Sequence, residues 1–333
     1  MAPRAAILGL KGPRLSVNEA AFFRDADPWG FILFARNIET PDQMRRLTHD
    51  LREAVGRDAL IFIDQEGGRV QRMAAPHWRK YPPASTYRDM GDKAERAAWL
   101  HARLTAHDLR DVGVTANCAP VLDIPAKGAD PIISDRAYGK TARDVIALAN
   151  ATMAGYMAGG VAPVVKHIPG HGRAQVDSHK ALPVIKSWAA ALEGRDYVPF
   201  KALKDAPMAM TAHVVLKAVD PDAPVTLSKK AMSRIVRGSI GYDGLVMTDD
   251  LEMKALSGDL RDLTSQAHTA GCDIALHCSG NMANMVKVIS GTKQLSGKAL
   301  ERAQIADYVA CSPEAFDVEA GRAKFDEMLG GYV

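Results

Sequence analysis

The segment KHIPGHGRAQVDSHKALP, residues 166–183, concentrates side chains that can exchange protons and bind ligands. Its candidate groups are Lys166, His167, His171, Asp177 and His179. The apolar run VAPVV directly before it is typical of a buried strand, which puts Lys166 and His167 at the carboxyl end of that strand. Parallel α/β barrels build their active sites at this end. Because histidine titrates near neutral pH, the segment predicts acid–base chemistry.

The proton donor within this segment stays open on the residues alone, between His179, His171 and Asp177. Asp177, two residues before His179, can bond one imidazole nitrogen, which would fix the tautomer and raise the basicity of the ring. Metal ligation is the alternative use of such a group, since His and Asp are ordinary zinc ligands. No HExxH or CxxC pattern supports it, so we expect no metal and no cofactor.

A pair of carboxylates stands in GLVMTDDLEM, residues 244–253. The run before Asp249 and Asp250 is so apolar that one of the two should face a ligand at the strand end. A carboxylate held beneath a sugar ring can attack the anomeric carbon and form a covalent intermediate. Asp250 has the alternative role of capping the following helix, which favours Asp249 as the nucleophile.

Further charged side chains follow other apolar runs. In DQEGGRVQR, Asp64 and Arg72 either clamp sugar hydroxyls or form an ion pair that only fixes a loop. Arg136, in DPIISDRAYG, has the fork that suits adjacent oxygens, although a loop arginine taken singly is more often solvated or paired. Lys166 at a buried strand end needs a partner, either a sugar or a carboxylate. His213 is expected to line the same site, and His277 to be a core histidine.

Eight short apolar runs alternate with helical patterns along the chain. The runs cover residues 5–10, 30–34, 59–64, 114–120, 161–167, 208–213, 244–249 and 273–278. Helical patterns cover residues 41–55, 93–112, 142–160 and 228–240. This alternation predicts an α/β fold, a (β/α)8 TIM-type barrel, as a single catalytic domain over residues 1–333. Weak helical patterns from about residue 297 predict a helical tail packed against the barrel.

Composition narrows the class of partner. The 42 basic and 39 acidic residues are interspersed and give a net charge of +3, which provides no footprint for nucleic acid. We therefore expect a small-molecule or carbohydrate substrate. No run of about 18 apolar residues predicts a membrane span, and the first residues lack an export signal. The four cysteines show no CxxC spacing and suggest free thiols, so we expect a reducing compartment, the cytoplasm. We also expect a monomer.

At these residues the chain resembles glycoside hydrolase family 3, and within it the single-domain β-N-acetylglucosaminidases of bacterial peptidoglycan recycling. The motifs that carry the resemblance follow the family's order over roughly the first 260 residues. They are GFILFARN, DQEGGRVQR, NCAPVLDI, KHIPGHG with DSH, MTAH and VMTDDLEM. Two departures are mild: Ile168 stands where the family more often has phenylalanine, and VMTDDLEM replaces a serine-containing version.

The resemblance implies roles for individual residues. Asp249 would be the nucleophile, His179 a mobile acid/base and Asp177 its partner, with His171 a structural member of the loop. Sugar contacts would come from Asp64, Arg72, Arg136, Lys166 and His167. The implied activity is a retaining exo-β-N-acetylglucosaminidase that removes terminal GlcNAc from 1,6-anhydro-muropeptides.

Three alternatives remain open. A phosphorylase would use the same groups, because a histidine acid/base does not repel phosphate as a carboxylate would. A β-glucosidase of the same family is a second possibility, although such relatives usually carry a further domain. A sugar-binding regulator on an inactive barrel is the non-enzymatic alternative, and the intact set of Asp249, Asp177 and His179 argues against it.

Overall fold

Eight parallel strands close into a barrel in the computed structural model, which describes residues 2–310 and 313–330. The strands are β1 (Arg4–Gly9), β2 (Pro28–Leu33), β3 (Leu60–Ile63), β4 (Ala116–Asn117), β5 (Ala162–Ile168), β6 (Met208–Thr211), β7 (Leu245–Asp250) and β8 (Ile274–His277). Each pairs with its neighbours in sequence, and β1 closes the ring against β8. One strand lies in each predicted run, so the predicted barrel is confirmed. The shortest is β4, with two residues.

The apolar runs are buried on both faces, as expected for a parallel barrel. Alternate residues of one strand point to opposite sides. In β3, Leu60 and Phe62 belong to the cluster that fills the barrel, whereas Ile61 and Ile63 belong to a cluster shared with the surrounding helices. This alternation decides which residue at each strand end faces the mouth of the barrel.

Helices surround the barrel. They span Val17–Ala26, Pro41–Val55, Ala94–Asp111, Ala142–Ala158, Leu260–Ala270, Met282–Gly291, Gly297–Val309 and Val318–Leu329. The connection from β5 to β6 is irregular, with an α-helical turn at Ala189–Ala191, a π-helix at Leu192–Asp196 and a short helix at Val198–Ala202. After β6, a turn at Lys229–Ala231 continues as a π-helix over Met232–Ser239. The sequence patterns missed the helices at 17–26, 260–270 and 282–291.

The terminal helix Val318–Leu329 packs beneath the long connection that follows β3. Phe325 of this helix is fully buried, with its ring centroid 5.9 Å from that of Tyr81 and 6.2 Å from that of His101. Arg79 pairs with Asp326 of the same helix. The tail therefore contacts a segment that leads to the barrel mouth.

Two further expectations concern the whole surface and the thiols. Within the described residues, no helix is long and apolar enough to cross a membrane. Cys118, Cys272 and Cys278 are free thiols, of which the first two are buried and the third partly exposed. Cys311 lies outside the described residues.

Candidate active site

The residues of β3, β5 and β7 that point into the barrel are apolar along each strand. The next residue on the same side, at the carboxyl end, is charged. The last apolar members of the interior cluster on β3, β5 and β7 are Phe62, Val164 and Met247. Two residues further on, at the same parity, come Asp64, Lys166 and Asp249. Because residues two apart lie on the same side of a strand, two carboxylates and one ammonium group lie at the mouth of the barrel.

A cavity of about 400 Å³ opens at this mouth. Its lining includes seven of the eight predicted site residues, which are Asp64, Arg72, Arg136, Lys166, His167, His179 and Asp249. The eighth, Asp177, does not line the cavity. It contacts His179, which does. The structure therefore brings the predicted set together.

A buried ion network forms the floor on one side. Lys166 Nζ lies 2.8 Å from Asp64 Oδ1 and 2.8 Å from Glu66 Oε1, so two carboxylates supply the partner that this buried ammonium group needs. Arg136 forks onto Glu66 with Nε and Nη2, each at 2.8 Å. Arg72 Nη2 reaches Asp64 Oδ2 at 3.3 Å. Asp64 and Arg72 thus pair with each other and both face the cavity, whereas the expected clamp on sugar hydroxyls stays a prediction.

The charges of this network shift the carboxyl pKa values downwards. Burial alone would raise the pKa of Glu66, but Arg136 and Lys166 outweigh it and bring the pKa to about 2. The pKa of Asp64 also lies well below its ordinary value, because Lys166 and Arg72 overcome the effect of burial. Both groups are ionised at neutral pH and therefore act only as hydrogen-bond acceptors for the cations around them.

Asp249 is an ionised carboxylate at the end of β7. Burial would raise its pKa, but His213, His167 and the backbone N–H of Asp250 together hold the pKa below the ordinary value. Oδ1 accepts a hydrogen bond from that N–H at 2.8 Å. An ionised, fixed carboxylate at the barrel mouth is chemically suited to attack an electrophilic carbon.

Asp250 supports the neighbouring loops. Its Oδ1 accepts hydrogen bonds from the backbone N–H groups of Glu252 and Cys278, both at 3.2 Å. The expected helix-capping role is wrong, because the next helix begins at Leu260 and takes Asp259 as its N-cap. Burial, with Asp249 adding to it, raises the pKa of Asp250 to about 6.

The remaining strand-end histidines are part of the frame. Of the described residues that line the cavity, His213 is not one. Its Nδ1 lies 2.7 Å from Thr226 Oγ1, and its Nε2 lies 3.0 Å from the Asp250 carbonyl oxygen. His277 is fully buried as expected, with Nε2 2.8 Å from Glu252 Oε2. Both rings hold the ends of β6 and β8 against the turn after β7.

His179 stands on the loop that follows β5. Its side chain is 63% exposed, and its Nδ1 lies 2.9 Å from Oδ1 of Asp177, which is only 10% exposed. The same oxygen accepts the backbone N–H of His179 at 2.9 Å. Because an ionised carboxylate accepts only, Nδ1 carries the hydrogen and Nε2 is left to exchange a proton with a ligand. Burial would raise the pKa of Asp177, but its bonds to His179 lower it.

The start of this loop is tied to the segment that follows β4. Gly172 passes so close to Ile124 that a Cβ would stand 2.0 Å from the Ile124 carbonyl oxygen. Asp123, fully buried, accepts the backbone N–H of His171 at 2.6 Å and faces Nδ1 of His167 at 2.6 Å. Burial lowers the pKa of His171 to about 4, so this ring is neutral and ill suited to proton donation at pH 7.

Two functional neighbours, Glu66 and Asp123, were not among the sequence-predicted site residues. Both lie inside motifs named in the sequence analysis, DQEGGRVQR and NCAPVLDI. Their partners, however, are 70 and 44 residues away in the chain. The only indication of them in the sequence was the general expectation that a buried lysine or arginine has a carboxylate partner.

A shift in strand register explains why Lys166 and His167, which are adjacent in sequence, both line the cavity. In a regular strand they would point to opposite faces. The pairing of β5 with β6 shifts register between Lys166 and Ile168, which re-aims one of the two side chains. Strand parity alone predicts only Lys166.

Larger clefts occur elsewhere among the described residues. One of about 590 Å³, lined by Trp29, Leu60 and Thr115, lies at the amino ends of the strands. It contains no pairing of a carboxylate with a histidine. The mouth of the barrel differs from that cleft in its place at the carboxyl ends of the strands and in bringing Asp249, His179 and the ion network into one cavity.

The chain matches known proteins over most of its length. Residues 13–310 match the Glycosyl hydrolase family 3 N terminal domain. A curated protein of Alkalilimnicola ehrlichii named Beta-hexosaminidase is 40% identical over 282 residues, which cover 82% of this chain and 80% of the relative. A relative of the same name from Methylococcus capsulatus is 39% identical over 279 residues, covering 81% of each chain.

Solved structures give the same result. Native NagZ from Neisseria gonorrhoeae superposes with a TM-score of 0.85 at 28% identity, covering 99% of this chain and 97% of that chain. A glycoside hydrolase family 3 beta-N-acetylglucosaminidase from Paenibacillus gives 0.86 at 29% identity, covering 97% of this chain. This chain spans 66% of the Paenibacillus protein. The expectation of a glycoside hydrolase of the β-N-acetylhexosaminidase class is confirmed, and the chain belongs to glycosyl hydrolase family 3.

Proposed function

We propose that the protein is a retaining exo-β-N-acetylglucosaminidase that releases terminal GlcNAc from 1,6-anhydro-muropeptides. The observation that carries the proposal is that Asp249 and His179 line one cavity together with Asp64, Arg72, Arg136, Lys166 and His167. Its volume of about 400 Å³ falls at the small end of ligand pockets, which span about 300–1,000 Å³. A cavity of this small volume favours cleavage from the chain end.

In the first half of the proposed reaction, a carboxylate oxygen of Asp249 attacks the anomeric carbon. The bond from that carbon to the leaving oxygen breaks as the new ester bond forms, and His179 Nε2 gives its proton to the departing oxygen. The lowered pKa of Asp249 keeps the nucleophile ionised. Asp177 stabilises the imidazolium before the transfer, because it accepts from Nδ1.

In the second half, water enters where the aglycone has left. His179, now neutral, takes a proton from the water as its oxygen attacks the anomeric carbon, and the ester bond to Asp249 breaks. The product retains the β configuration after two inversions. Asp64, Arg72, Arg136, Lys166 and His167 are the proposed contacts to the sugar hydroxyls.

The muropeptide substrate is supported by the sequence resemblance rather than by a residue of the cavity. NagZ from Neisseria gonorrhoeae covers nearly this whole chain, and the sequence resembles the peptidoglycan-recycling branch of the family. The cytoplasmic location and the monomeric state remain predictions.

The first test compares 4-nitrophenyl β-GlcNAc with 4-nitrophenyl β-glucoside, each with and without phosphate. We expect fast release from the GlcNAc substrate, free GlcNAc as product, and no dependence on phosphate. A sugar 1-phosphate would make the enzyme a phosphorylase, and a preference for the glucoside would reject the acetamido specificity. Sugar binding without turnover would favour a binding protein.

A further inference from the structure

A second pairing of aspartate with histidine faces the cavity. Asp123 Oδ2 lies 2.6 Å from His167 Nδ1, and Asp177 Oδ1 lies 2.9 Å from His179 Nδ1. The two pairs differ in their surroundings, because the His167 side chain is 10% exposed and that of His179 is 63% exposed. One imidazole is therefore held in the wall and the other stands on a loop.

Asp123 accepts three hydrogen bonds, all from the segment between His167 and His171. Oδ2 accepts the backbone N–H of His167 at 3.3 Å as well as meeting Nδ1, and Oδ1 accepts the backbone N–H of His171 at 2.6 Å. The carboxyl group is fully buried. Burial would raise its pKa, but His167 and the hydrogen bonds from His167 and His171 hold it below the ordinary value.

An ionised Asp123 decides which nitrogen of His167 meets a ligand. A carboxylate has no hydrogen to give, so Nδ1 must carry one and donate it. Nε2 is then the ring nitrogen free to contact a ligand, on a residue that lines the cavity with Asp249. The same aspartate fixes the first turn of the loop that carries His179, through the backbone of His171.

We propose that Asp123 is a positioning residue of the reaction, which orients His167 Nε2 towards a hydroxyl of the bound sugar and anchors the loop of His179. The inference rests on the proposed function for the identity of the ligand. Asp123 touches no substrate itself and acts through His167. A purely structural carboxylate would brace the loop without setting the imidazole tautomer.

Asp123→Asn separates these roles with little change of shape. If the amide oxygen keeps the His171 N–H, the amide NH₂ faces His167 Nδ1, which must become an acceptor, and the ring hydrogen moves to Nε2. We expect the ¹⁵N spectrum of wild type to show His167 protonated at Nδ1, and that of the variant to show protonation at Nε2. A wild-type His167 protonated at Nε2 alone would overturn the inference, even if the variant failed to fold.

A kinetic cycle supplies the second readout. We expect Asp123→Asn to lower kcat/KM at least about tenfold, since a wrong tautomer misdirects a hydrogen bond. In a His167→Ala background, Asp123→Asn should lower kcat/KM less than about twofold, because the imidazole through which Asp123 acts is absent. Equal losses in both backgrounds would show that Asp123 only braces the loop.

Asp196→Asn is the matched control. Asp196 is also buried and holds the same loop, through Arg173 Nε at 2.7 Å, but it makes no contact with His167. Its effect should be the same in both backgrounds. A wild-type enzyme inactive on β-GlcNAc substrates would refute the proposed function, whereas the ¹⁵N spectrum would still decide the orientation of His167.

Discussion

Lys166 shows how far a single residue constrains its surroundings. The ammonium group is 2% exposed and sits between Asp64 and Glu66, both at 2.8 Å. Such a buried cation is costly unless its partners are close and ionised. Two carboxylates and three cations, counting Arg72 and Arg136, thus form a rigid wall of donors and acceptors for a polar ligand.

His179→Ala tests the acid at the scale of one side chain. We expect kcat/KM to fall about 10²–10⁴-fold for substrates with poor leaving groups and much less for nitrophenyl substrates, because a good leaving group needs little protonation. The measurement is a series of aryl β-GlcNAc substrates of graded leaving-group pKa. His49→Ala, which alters an exposed histidine outside the cavity, is the control. An equal loss across the series would reject the acid role.

Asp250→Asn tests a carboxyl group whose pKa is raised to about 6 from 3.8. A raised folded-state pKa favours the folded protein fully below pH 3.8 and loses that benefit as pH rises through about 6. Asparagine avoids burying this charge. We therefore expect the unfolding free energy of the variant, minus that of wild type, to be roughly 1–3 kcal/mol larger at pH 8 than at pH 4. Urea unfolding at both pH values measures this, and a pH-independent difference would contradict it.

At the scale of elements, β5 and its loop carry four of the eight proposed site residues, and they depend on parts distant in sequence. The terminal helix Val318–Leu329 supports the connection after β3 through Phe325, Tyr81 and Arg79. That connection returns to the site, because Gly68 donates its N–H to the Tyr81 carbonyl oxygen at 2.9 Å. The tail is thus part of the frame that places the loop bearing Arg72.

Phe325→Ala tests this support. The side chain is fully buried, so its truncation should leave a cavity and lower the unfolding free energy by about 3–5 kcal/mol. Ile305→Ala, on the neighbouring helix Gly297–Val309 with 58% exposure, should change it by less than about 0.5 kcal/mol. Denaturant unfolding measures both. A loss at Phe325 as small as that at Ile305 would show that the helix is not a structural support.

The elements were predictable where period and composition agreed. All eight strands were visible as short apolar runs, and the helix Pro41–Val55 was bounded correctly because Pro stands at its first position and Gly56 follows its last. The helix Val17–Ala26 was missed, since only three of its ten residues are buried and its apolar face is short. The pairing of Asp123 with His167 depends on barrel closure and a register shift, which no local pattern encodes.

At the scale of the whole molecule, the ion network links the site to acid stability. Glu66 has a folded-state pKa of about 2 against an ordinary value of 4.5. A lowered pKa contributes stability above pH 4.5, and this contribution is lost as pH falls towards about 2. The wall of the cavity should therefore be a main site of acid unfolding.

Glu66→Gln tests this contribution. At pH 7 we expect a loss of about 3–5 kcal/mol in unfolding free energy, because Lys166 and Arg136 lose a buried counter-charge. The difference from wild type should shrink as pH falls from 4.5 towards 2, where Glu66 itself becomes neutral. Glu319→Gln, an exposed glutamate with 82% of its side chain accessible, is the control. A difference that stays constant with pH would contradict the assignment.

The central claim is that Asp249 forms a covalent bond to the sugar. The most direct measurement is the mass of enzyme treated with a 5-fluoro β-GlcNAc donor bearing a good leaving group, because the fluorine slows both oxocarbenium-like steps while the leaving group keeps the first one faster. We predict one added sugar on the peptide that contains Asp249, and none in Asp249→Ala. Attachment to another residue, or inversion of the product with no adduct, would contradict the claim.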